Sequence, residues 1–98
     1  MMNSNVRAYL RSQAHSLKPT VMVGKGGVDE RIYASLDESL TSHELVKVKF
    51  QAQKDQVRAL SEQLAENTAS TLVSIIGFIA TFYRPSEERL IVIPKDLL

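Results

Sequence analysis

An α/β domain built on a mixed four-stranded sheet is the fold class that this sequence predicts, and three observations carry the prediction. Segments with apolar residues three and four apart interleave with shorter strand-like runs in the order α-β-α-β-α-β-β. A glycine turn, Gly24-Lys25-Gly26-Gly27, joins a short apolar run to a helical pattern, as at a strand-to-helix junction. Two late runs rich in β-branched and aromatic residues flank Gly77 as a hairpin would. Two strand-helix-strand crossovers, each expected to be right-handed, are then closed by that hairpin.

The first helix carries Val6, Tyr9, Leu10, Ala14 and Leu17 on its apolar side and ends before Pro19, with Arg7 and Arg11 four apart on one face. Strand one runs from about Thr20 to Val23. The second helix buries Val28, Ile32, Leu36 and Leu40, leaves Glu30, Asp37 and Glu38 among its polar positions, and stops near Ser42. Strand two alternates: Val46, Val48 and Phe50 point one way, Lys47 and Lys49 the other. Asp55 is expected to cap a third helix that carries Val57, Leu60 and Leu64 and ends at Asn67. Strands from Thr71 to Ile76 and from Phe78 to Tyr83 are apolar on both faces, which calls for a central position or for helices on each side. After Pro85 one short extended piece, Leu90 to Ile93, precedes a terminus expected to fray.

With 98 residues and 44% hydrophobic content, the chain suits one domain with one core. It has no cysteine, which excludes disulfides, a thiol nucleophile and cysteine zinc sites, and suits a reducing cytoplasm. The polar start, Met1 to Asn5, lacks the apolar centre of a signal peptide, and the run from Leu72 to Phe82 falls short of the roughly 20 residues of a membrane span. A cytoplasmic location without a membrane partner is the expectation. No nucleophile elbow, metal cluster or nucleotide motif is present, so neither an enzyme nor a cofactor or small-molecule substrate is expected.

The glycine turn is the leading candidate site. The first N–H groups of a helix attract anions, and glycines let a ligand's backbone come close. Its spacing fits neither a P-loop nor a dinucleotide fingerprint, whose third glycine is replaced by Asp29. It does fit the G-x-x-G clamp that RNA-binding modules set against a sugar-phosphate backbone. A turn that only reverses the chain is the plain alternative, and Asp29 and Glu30 compete for the same helix end. The formal net charge is only +1, yet Arg7, Arg11, Lys18 and Lys25 are the only charged residues before Asp29, which makes a basic face and a scattered surface equally consistent.

Four ordered motifs carry a resemblance. Leu10 to Pro19, Val23-Gly24-Lys25-Gly26-Gly27, His43-Glu44-Leu45-Val46-Lys47-Val48-Lys49, and Ile76-Gly77 followed by Phe82-Tyr83-Arg84-Pro85 resemble the CRM domain, the chloroplast RNA splicing and ribosome maturation family. The chain is most similar to its bacterial stand-alone members of the YhbY type, over residues 5 to about 90. The resemblance implies an RNA-binding domain with a fold similar to the C-terminal domain of translation initiation factor three. It also implies association with ribosomal RNA in precursors of the large subunit. By the motif match Gly24, Lys25, Gly26 and Gly27 take the RNA-contact role, and Lys18 belongs to the matched stretch; the extra glycine at position 26 departs from the pattern and loosens the loop.

Arg7, Arg11, His15, Lys47, Lys49 and Arg84 complete the candidate set. Each has a plainer reading: a backbone-satisfied helix end for His15, a solvated strand face for the two lysines, and a turn-and-stop role for Arg84 beside Pro85. Tyr83 and Phe82 read as core. An alternative function is a protein-interaction module that docks on ribosomal proteins and uses the glycines only to turn.

Overall fold

The computed structural model describes residues 2–98. Three helices and four strands follow in the predicted order: α1 (Ser4–Ala14), β1 (Val21–Val23), α2 (Glu30–His43), β2 (Leu45–Phe50), α3 (Val57–Asn67), β3 (Thr71–Ile76) and β4 (Ile79–Tyr83). Short 3-10 turns occupy Lys54–Gln56 and Lys95–Leu97. Asn3 starts α1 by accepting the Val6 N–H at 2.8 Å, and Asp29 starts α2 in the same way.

The sheet is mixed, with strand order β1-β2-β4-β3. β1 and β2 run parallel, and β4 lies antiparallel between β2 and β3. The second strand of the hairpin therefore inserts into the centre of the sheet, which leaves β3 as an edge. β4 is buried from Ala80 to Tyr83, as a central strand should be.

Strand alternation sorts the side chains into two cores. Val21, Val23, Val46, Val48, Phe50, Ala80 and Phe82 share one face, which α2 and α3 cover with Leu36, Leu40, Val57 and Leu64. On the other face α1 lays Val6, Leu10 and Ala14 over Leu45, Val73 and Tyr83. Helices on both faces are what the doubly apolar late strands require. Among the described residues no helix is long and apolar enough to cross a membrane.

The structure corrects four local expectations. α1 ends at Ala14, so Leu17, expected on its apolar side, lies beyond the helix and is exposed. Asp55 does not cap α3; it lies in the 3-10 turn, and Gln56 precedes the helix without a side-chain bond. β4 begins at Ile79, because Gly77 and Phe78 form the hairpin turn. The segment after Pro85 is not a strand. Its Ile91, Ile93 and Leu97 pack against the second core, and the Asn3 amide donates to the Leu97 carbonyl at 3.0 Å. That segment finds its hydrogen bonds on a side chain instead of a neighbouring strand, as described below.

Candidate nucleic-acid interface

The Gly24–Gly27 loop leaves the end of β1 as a tight turn, closed by the Gly27 N–H donating to the Gly24 carbonyl at 3.1 Å. Gly27 has φ 82°, a conformation that favours glycine. Gly24 and Gly26 have no such requirement, and a Cβ at Gly26 would meet nothing within 4 Å. The fold therefore leaves two of the three glycines unexplained. Lys25 and Gly26 are exposed at the tip. From beneath, the Gln53 amide donates to the carbonyls of Gly24 at 2.9 Å and Lys25 at 3.4 Å, tying the loop to the connection between β2 and α3.

The helix end beyond the loop is not the anion site that the sequence points to. Val28 and Asp29 intervene, and the Asp29 carboxylate accepts the N–H groups of Arg31 at 3.0 Å and Ile32 at 3.1 Å. The Ile32 N–H, opposed by partial burial and aided by Arg31, holds the Asp29 carboxyl below its ordinary range. The protein's own carboxylate thus fills the terminus.

A second cluster forms where α1 lies across the sheet. Arg11, Ser12 and His15 from the end of α1, with Lys47, Ser74 and Thr81 from β2, β3 and β4, border a groove of about 560 Å³. No carboxylate lines it. The Lys47 ammonium donates to the Leu17 carbonyl at 3.0 Å, which fixes it at the groove wall. Lys49 stands exposed one step further along the same strand face. Lys18 lies round the end of α1, in a neighbouring hollow of about 440 Å³ with His43, Thr20 and Lys47. Among the described residues, no side-chain hydrogen bond or ion pair engages Arg11, His15, Lys18, Lys25 or Lys49.

Besides Lys47, two candidate arginines are engaged by the fold, each through several bonds. The Arg7 guanidinium donates to the carbonyls of Leu72 at 2.6 Å and Val73 at 2.8 Å. A register shift between Leu72 and Ser74 makes this possible, because a bulge leaves adjacent carbonyls outside the regular ladder. Arg84 donates to Asp37 Oδ1 at 2.7 Å, the Asp37 carbonyl at 3.0 Å, Thr41 Oγ1 at 2.9 Å and the Thr68 carbonyl at 2.7 Å. Arg7 thus satisfies two bulge carbonyls and Arg84 the Thr68 carbonyl just past the end of α3.

Glu44, which composition and periodicity pass over, is hydrogen-bonded as fully as Arg84. It is fully buried at the end of α2 with φ 66°. Its carboxylate accepts the Ser86 N–H at 2.9 Å, the Leu90 N–H at 3.0 Å, the Ile91 N–H at 2.8 Å and the Ser86 hydroxyl. Burial pushes its pKa up, and the four donors outweigh that push and hold it at about 2. Nearby, burial and the Glu44 charge push the Tyr83 hydroxyl up. A lone glutamate ahead of an alternating strand gives no signal of this role; neither does Gln53.

The CRS1 / YhbY (CRM) domain matches residues 2–84 of the chain. A Haemophilus influenzae RNA-binding protein is 34% identical over 95 residues, which is 96% of this chain and 96% of that one. A probable RNA-binding protein of Bacillus subtilis is 35% identical over 89 residues, 90% of this chain and 93% of its own. The solution structure of a hypothetical Staphylococcus aureus protein, proposed to bind RNA, agrees with a TM-score of 0.82 at 38% identity, over 96% of this chain and 100% of that one. The motifs, the fold and these relatives agree: the chain belongs to the CRS1/YhbY (CRM) domain family, beside bacterial stand-alone proteins of the YhbY kind.

Proposed function

We propose that this protein is a non-enzymatic RNA-binding factor that engages ribosomal RNA in precursors of the large ribosomal subunit. The observation that carries this reading is the Gly24–Gly27 loop, in which Gly24 and Gly26 answer no conformational demand and stand in open or loosely packed space. Missing side chains at such positions serve a ligand that must approach the backbone closely. Lys25 supplies charge at the tip, and Lys49, Lys47 and Arg11 add charge along the sheet face, with the His15 ring beside Arg11. The RNA-binding names of the relatives support the same reading. A formal net charge of +1 is too small for strong indiscriminate binding, which favours recognition of shape and backbone in a folded RNA.

Gly26→Asp is the decisive variant. Its side chain enters open space at an ordinary φ, so the melting curve should match the wild type while binding to ribosomal RNA fragments is abolished. Tagged wild-type protein should sediment with large-subunit precursors and crosslink to their RNA, and the variant should stay at the top of the gradient. Wild type and variant both remaining at the top would sink the ribosomal reading. Both co-sedimenting without RNA crosslinks would replace it with contact to ribosomal proteins.

A further inference from the structure

One row of the sheet is uncovered, and at Ile76 it meets the groove that Arg11 and Lys47 border. Strand register places Met22, Lys49, Ile79 and Ile76 side by side across β1, β2, β4 and β3, on the α1 face. α1 covers the far half of this face, over Leu45, Val73 and Tyr83, and leaves this row open. Met22 is 47% exposed and Ile76 is 72% exposed. At one end of the row the chain passes from Met22 through Val23 into the Gly24–Gly27 loop. Along its side run Lys47, Thr81 and Ser74, which border the acid-free groove with Arg11 and His15.

Resting on the RNA-binding reading above, we infer that this row is a platform for unpaired bases: the loop holds the backbone while two or three nucleotides lie across the sheet. Charge complementarity selects the occupant. Three apolar side chains, Met22, Ile79 and Ile76, with Lys49 set among them and Lys47, Arg11 and His15 alongside, and no carboxylate along the groove, suit a polyanion that also offers apolar surface. Unstacked RNA has both. An A-form duplex hides its base faces and presents phosphates and 2′-hydroxyls, which gain nothing from Met22 or Ile76. At the ~4.8 Å spacing of neighbouring strands, the row from β1 to β3 is roughly 14 Å wide. Four-stranded sheets of other RNA-binding modules stack two or three bases on a comparable surface. Here aliphatic side chains and the Lys49 stem provide the contact, so tolerance of any base is expected.

The test uses the full chain and two probes of equal length, an unstructured 12-nucleotide RNA carrying 2-aminopurine and a blunt RNA duplex. Met22→Ser, Ile76→Ser and the double variant remove apolar surface without changing charge, at positions exposed enough that the fold should hold. The single strand should bind more tightly than the duplex, and the double variant should weaken it by about fivefold to tenfold with an unchanged salt slope. The 2-aminopurine emission should report an altered stacking environment in wild type and not in the double variant. Gly26→Asp should weaken both probes. Equal binding of both probes, untouched by Met22→Ser and Ile76→Ser but lost in Gly26→Asp, overturns the platform and leaves the loop reading standing. Failure of wild type to bind either probe or ribosomal RNA overturns both. A dimer in sedimentation that the double variant dissociates, with RNA binding unchanged, would assign the row to self-association and also overturn the platform.

Discussion

The two ends of the sheet carry motif residues of similar polarity and treat them in opposite ways. At the β1 end the Gly24–Gly27 loop exposes Lys25 and Gly26 and is held by one turn bond and one glutamine. At the opposite end Glu44 is fully buried and Arg84 half-buried, and each makes four hydrogen bonds. A charge that belongs to a motif is therefore not by itself a ligand contact. What separates the two uses is whether the fold has already supplied a partner. Unpaired groups at the loop end remain available to an outside anion, whereas the Glu44 end binds the chain to itself.

Changes at the two ends should separate stability from binding, and the largest effect belongs to Glu44→Ala. It leaves the Ser86, Leu90 and Ile91 donors without an acceptor and should cost about 3 kcal/mol in denaturant unfolding, with RNA affinity per folded molecule unchanged. Glu44→Gly loses the same bonds but relieves the backbone at φ 66°, so it should be less damaging by about 1 kcal/mol. Arg84→Ala follows at about 2 kcal/mol, since it orphans the Thr68 carbonyl, again without loss of RNA binding. A binding defect that exceeds the folding defect in either variant would erase the contrast between the two ends.

Acid should act most strongly at the Glu44 end, with a smaller contribution of the same sign from the exposed Asp29 carboxylate beyond the loop. The Glu44 carboxyl has an ordinary value of 4.5 and is held at about 2 in the folded protein, so the unfolded chain takes up the proton first as pH falls. The stabilisation from this group is complete above about pH 4.5 and is lost progressively between 4.5 and 2. Denaturation curves at successive pH values should show that decline, and Glu44→Gln should flatten it; a decline of equal steepness in the variant would assign it elsewhere. The smallest effect on stability is expected for Lys25→Ala, within about 0.5 kcal/mol. The same change should lower the salt dependence of RNA binding by about 0.7 to 0.9 in slope if one phosphate contact is lost.

Periodicity made much of this architecture legible. The Val46, Val48, Phe50 alternation gave the face of β2 correctly, including the outward Lys47 and Lys49, and the four-residue spacing of Ile32, Leu36 and Leu40 gave the packed side of α2. Strand order was not legible, because nothing local in Ile79–Tyr83 says that β4 inserts beside β2 instead of outside β3. The tail escaped for a related reason: Ile91 and Ile93 dock through a distant carboxylate, and no sequence period records that. At the site, glycines reveal themselves through the conformations and approaches they permit. Arginines do not, since Arg7 on a bulge carbonyl and Arg11 facing a groove look alike four residues apart on one helix.

The ties of Glu44 also set the physical limits of the folding unit. The family match stops at residue 84, yet the donors that stabilise this buried carboxylate lie at Ser86, Leu90 and Ile91. A fragment trimmed to the matched stretch would keep the acid, discard its donors and uncover the apolar surface that Ile91, Ile93 and Leu97 pack against. Fusions, excised domains and shuffled architectures built on this scaffold must therefore carry the chain through at least Ile91. Where the family match ends and where the buried carboxylate finds its last partner are here two different residues.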